Sequence, residues 1–159
     1  MQAEISANAQ VASPSWRRFG AIVLFYAALG PFFGAIGVTA VFTAMAISVE
    51  VWHGNFGRIG QMLLAGMVIG TIVSVIAAYV LGIFSATCVG FAVAIRDRRR
   101  GGISWWAALI SALLLWLLTA MLAFSAVPPE GSLQWIGALF VAHLLAATIC
   151  TWIARRIFR

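Results

Sequence analysis

An all-α integral membrane protein is what this sequence predicts: a bundle of four transmembrane helices, both termini cytoplasmic, the first helix kinked at Gly30-Pro31. Three observations lead there. Only 9% of the 159 residues are charged while 64% are hydrophobic, against roughly 25% charged in a soluble domain. So few polar side chains cannot cover a core in water. Four charge-free apolar runs, at 19–49, 61–95, 103–124 and 133–154, each exceed the roughly 18 residues that mark a membrane-spanning helix. Finally, the arginines gather in alternate connections.

The elements follow in chain order. Residues 1–16 are small and polar and read as a disordered cytoplasmic tail, which leaves 17–159 as the transmembrane domain. Ser15-Trp16-Arg17-Arg18-Phe19 faintly resembles a twin-arginine export signal. The apolar run behind it is far longer than the roughly 7–15 residues of a cleavable signal, so Arg17 and Arg18 flank a retained span. As helices, the first two runs would measure about 46 and 52 Å, against a hydrocarbon core of about 30 Å. Splitting either one into a hairpin would carry Arg96 to Arg100 across the membrane, so long, tilted or kinked helices are expected instead. Gly30-Pro31 supplies the kink, because proline removes a helical hydrogen bond and crowds the preceding turn. Gly34 and Gly37 soften the same stretch. The second run should begin as a partly interfacial segment near 56–64. The connection Arg96-Asp97-Arg98-Arg99-Arg100-Gly101-Gly102 leads to the third span, and the Pro128-Pro129 turn leads to the fourth.

Orientation follows from the positive-inside bias. All ten basic residues are arginine, and with the N-terminus inside only Arg58 lies outside. Tryptophan agrees: Trp16, Trp105, Trp106 and Trp152 fall at cytoplasmic ends, and Trp52 and Trp135 at outer ends, as interfacial belts require. The composition suggests a bacterial inner membrane. Although the net charge is +6, the arginines lie between apolar runs rather than on a polar face, so nucleic acid is not an expected partner. Arg96, Arg98, Arg99 and Arg100 form a basic loop that could meet anionic lipid or a protein partner, with simple topogenesis as the plainer reading.

Two rows of small residues at every fourth position bear on packing: Gly66 through Ala94 on the second run, and Ala138 through Ala154 on the fourth. In lipid, helices associate by close contact, which such rows permit. Holding the four helices of one chain together is the favoured reading; a homodimer seam is the sharper one.

Polar groups inside the spans are where function is sought, and there are few. Glu50 lies at the outer end of the first span, where a solvated interfacial carboxylate is favoured over a coupling group. His143 lies in the middle of the fourth span. Trp116 lies at similar depth on the third span, with Thr119 one turn away, and a structural contact of His143 with either is favoured over a haem ligand or proton relay. The span hydroxyls can bond the carbonyl one turn back and so argue weakly for a pore. Cys88 and Cys150 lie inside apolar runs and read as reduced structural thiols. No catalytic motif or metal-ligand spacing is present, so neither enzyme nor cofactor is expected. The leading expectation is a non-enzymatic accessory, assembly or regulatory protein acting on a membrane partner. The alternative is a small channel or transporter for a neutral or lipophilic solute, possibly homodimeric, working through Pro31 and Gly34.

Overall fold

The computed structural model describes residues 15–126 and 128–158, and every regular element among them is helical. Among the described residues, four helices are long and apolar enough to cross a membrane. The expected tail lies outside the described residues up to residue 14.

Helix α1 spans Trp16–Trp52, an unbroken rod of 37 residues with Pro31 inside it. The Ser15 hydroxyl accepts from the Arg18 N–H at 3.4 Å and caps its start. Its end meets Gly54 at φ 74°, and a 3₁₀ turn at Phe56–Arg58 reverses the chain. The second rod is then assembled from α2 (Ile59–Ala65), a π-helical segment at Gly66–Gly70, and α3 (Thr71–Arg100). The arginine run proves to be helix rather than loop: α3 continues to Arg100 and stops where Gly101 turns left-handed at φ 69°. Three arginines in a last turn suit the negative end of the helix dipole, which favours helix over loop there. Helix α4 covers Trp105–Ala126, and α5 covers Pro129–Ile157 with Pro129 in its first turn, where a missing N–H costs nothing.

Helix α1 lies between α3 and α5, α4 packs on α5 and more lightly on α3, and α3 and α5 scarcely meet. The small-residue rows explain the close approaches. A Cβ placed on Gly90 would lie 2.8 Å from Tyr26 Cβ and 3.2 Å from Val23 Cα, and one on Gly37 would lie 3.0 Å from Ala142 Cα. Both rows therefore serve contact with α1 within the chain. Most of the buried core, including Ile22, Tyr26, Val89, Val93, Ala108 and Cys150, occupies the half of the bundle nearest the arginines. Cys88 and Cys150 are free thiols.

The arginine-rich end is tied by a contact between α1 and the end of α3. The Arg18 guanidinium donates to both oxygens of Asp97, at 2.9 and 3.1 Å. The Asp97 side chain is only 2% exposed. Beside it, the Arg98 guanidinium stacks 3.7 Å from the centre of the Trp16 ring.

Candidate functional site

Between the four helices a gap is left. α3 leans on α1 but not on α5, and α4 holds α5 more closely than α3. Small residues line what remains: Gly30, Gly34 and Ala35 of α1, Ala78 and Gly82 of α3, and Ala142 and Ala146 of α5. Side chains this short cannot fill the angle between four rods. A cavity of about 510 Å³ results, within the roughly 300–1,000 Å³ of small-molecule sites. Its rim includes Val73 and Leu81 of α3 and Leu122 of α4, which are 61%, 80% and 61% exposed. The cavity thus opens sideways, between α3 and α4.

Its wall is apolar except at a few named groups. His143 and Ser85 join across the middle, the Ser85 hydroxyl lying 3.1 Å from Nε2. The His143 Nδ1 lies 2.8 Å from the Leu139 carbonyl. A carbonyl can only accept, so Nδ1 carries the hydrogen, and in the neutral ring Nε2 must accept from Ser85. Toward the arginines, the Tyr26 hydroxyl lies 2.7 Å from Thr151 Oγ1. Thr151 spends its own hydrogen on the Ala147 carbonyl at 2.6 Å, so Tyr26 is the donor of that pair. Thr119 also lines the cavity, with its hydroxyl 3.0 Å from the carbonyls of Leu115 and Trp116.

The expected contact of His143 with Trp116 or Thr119 is therefore corrected to Ser85. Trp116 donates its indole N–H to the Ile136 carbonyl at 3.1 Å and sets its ring edge-on against Phe140. The Trp116 hydrogen is thus taken by the backbone of α5 rather than by the His143 ring. Pro31 and Gly34 both border the cavity. Near Pro31 the Tyr79 hydroxyl donates to the Ala28 carbonyl, one residue beyond the Ala27 carbonyl that proline leaves without its helical donor.

Glu50 is not the solvated carboxylate the sequence suggests. Its side chain is 14% exposed, Oε1 lies 4.0 Å from Arg58, and Oε2 is buried with no hydrogen-bond partner. The start of the second rod folds against the end of α1 and covers it. A second pocket of about 220 Å³ lies between α1 and the π-helical segment, bordered by Thr39, Thr43 and Ser74. The buried Thr39 hydroxyl has no partner, unlike Thr87, Ser111, Thr119 and Thr148, which bond the preceding turn as expected. In the basic run Arg99 and Arg100 are exposed, while Arg96 and Arg98 are half-buried. No group of three or more His, Cys, Asp or Glu side chains placed to hold a metal exists among the described residues.

Sequence reasoning missed Ser85, Tyr26 and Asp97. A tyrosine inside a polar-poor span was a usable signal for the second; nothing local marked the others. Comparison with protein-family models, with curated proteins and with solved structures gave no match.

Proposed function

We propose that this chain is a non-enzymatic multi-pass membrane protein that admits a lipophilic molecule from the bilayer into the cavity between its helices. The observation that carries the reading is the cavity itself: about 510 Å³, walled by apolar side chains, open toward lipid, with a paired histidine and serine at mid-depth. Most ligand sites combine such an apolar wall with a few placed polar groups. Nothing charged lines it, which suits a neutral solute. At Gly30-Pro31, where proline leaves the Ala27 carbonyl without its helical donor, α1 can bend to fit an occupant. The arginine bias supports cytoplasmic termini in a bacterial inner membrane, with Arg99 and Arg100 on anionic lipid.

The test is extraction of the protein into lipid nanodiscs, followed by mass spectrometry of the retained apolar molecules. Gly82 borders the cavity and has open space at its Cβ position, so Gly82→Leu fills the cavity without disturbing a helix contact. Loss of a retained species from Gly82→Leu supports the reading. Identical contents in both proteins would end it.

A second reading, an accessory subunit or homo-oligomer, is favoured by one observation. The most apolar stretch of the second rod has no buried residue. That face is available to lipid or to a membrane partner. Stoichiometric co-purification after gentle extraction would support a partner, and a lone monomer would count against it.

A further inference from the structure

Around Ser85 the cavity's polar groups are chemically one-sided. At its middle and toward the arginines, every side-chain hydrogen is already committed. Ser85 gives its hydrogen to His143 Nε2, whose ring gives its own to Leu139. Tyr26 gives its hydrogen to Thr151, and Thr119 gives its to the preceding turn of α4. Each hydroxyl oxygen has two acceptor sites; on Ser85, Tyr26 and Thr119 both remain, while Thr151 uses one for the Tyr26 hydrogen. Ser74 and the Trp135 indole do border the cavity. They lie at the end remote from the arginines: Ser74 is eleven residues before Ser85, about 16 Å along α3.

From this inventory we infer that the occupant is a lipid alcohol: an apolar chain or ring whose hydroxyl enters first and donates to the acceptors around Ser85. The inference rests on the lipophile-binding reading and adds the chemistry of the head. An acceptor-only head, such as a ketone, aldehyde or ether, would face lone pairs with no hydrogen to share. An ammonium head would also donate, but no carboxylate lines the cavity to offset its charge, and an unpaired charge at this depth is costly. A neutral hydroxyl satisfies both conditions. It leaves the His143–Ser85 bond intact, because Ser85 accepts from the ligand while donating to the ring. Cooperative strengthening of such chains favours that arrangement.

The experiment uses the full chain in nanodiscs and a diazirine-bearing hexadecanol, with peptide mapping of the photolabel. Unlabelled hexadecanol, its methyl ether and hexadecanal compete at equal mole fraction in the bilayer. The expected result is labelling of cavity-lining peptides that Gly82→Leu abolishes, with hexadecanol competing about tenfold better than ether or aldehyde, the worth of one hydrogen bond. In the double variant Ser85→Ala with His143→Phe that preference should shrink toward unity. Equal competition by all three on the wild-type protein overturns the donor inference and leaves the lipophile reading standing. So does a preference that survives in the double variant. Absence of cavity labelling, or labelling that Gly82→Leu does not change, overturns both. The wild-type competition decides the matter even if the double variant does not fold.

Discussion

Asp97 is the residue on which the arginine-rich end depends, because it is a carboxylate with almost no exposure whose charge is met by one guanidinium. Removing one partner of a buried pair leaves the other uncompensated, at a cost of about 3–5 kcal/mol. The two partners are not equivalent, however: the Arg18 side chain is 33% exposed and that of Asp97 is 2%. Arg18→Ala should therefore cost about 3 kcal/mol, since Asp97 has no water to turn to. Asp97→Ala should cost less, since a freed Arg18 can reach solvent. Arg17→Ala, which touches no such partner, should stay within about 0.5 kcal/mol. Reversible unfolding in micelles reads all three, and equal losses for Arg17 and Arg18 would remove the pair from any structural role. This ion pair was not legible in the sequence. Asp97 stands among four arginines and looks like one more charge in a basic loop, while its partner is 79 residues away. His143 is the opposite case. A lone imidazole in an apolar run announces that it faces inward, but depth alone does not say which helix it meets. Ser85, 58 residues earlier, could only be found once α3 and α5 were seen to flank α1.

Among the elements, α3 makes the clearest test because one row of small residues does two different jobs along its length. At Gly90 the backbone of α1 is in van der Waals contact; at Gly82 there is nothing within 4 Å. Gly90→Leu must push α1 and α3 apart, an overpacking cost of about 3 kcal/mol because the obstructing atoms include backbone. Gly82→Leu should change stability by no more than about 0.5 kcal/mol while removing ligand retention. Thermal unfolding of the two variants side by side checks this; matching losses would show that the cavity is not open at Gly82. The periodic row was plain in the sequence, and so was its purpose of close contact. Where the row ceases to touch a neighbour was not. That depends on where the row, turning about 40° per step, faces a neighbour, and a four-residue repeat is the same whether the groove it forms is occupied or empty. The π-helical segment at Gly66–Gly70 is likewise invisible to hydropathy, since a wider turn keeps the same apolar composition.

At the scale of the whole molecule, composition alone determines the class, because a chain with so little charge has only lipid as a workable solvent. Four rods of this length must alternate in direction, and the ring and ion contacts of Arg18, Arg98, Arg155 and Arg156 all gather at one end. The opposite end carries Trp52, the reversal around Asn55, and the short passage from α4 to α5 through Pro128. What the fold leaves free is which end faces the cytoplasm, and here the charge argument makes a sharp forecast. Exposed positions at the two ends, Asn55 and Gly102, can each be replaced by cysteine in a chain whose Cys88 and Cys150 are alanine. A membrane-impermeant maleimide should label Asn55→Cys in intact cells and label Gly102→Cys only after permeabilisation. The reason is energetic: the inverted protein would carry the whole Arg96–Arg100 cluster and both chain ends across the membrane, leaving only Arg58 inside, against the bias that sets orientation. Reversed labelling would refute the orientation. Labelling of both positions in intact cells would mean dual insertion, and the arginine bias would then be too weak to act alone.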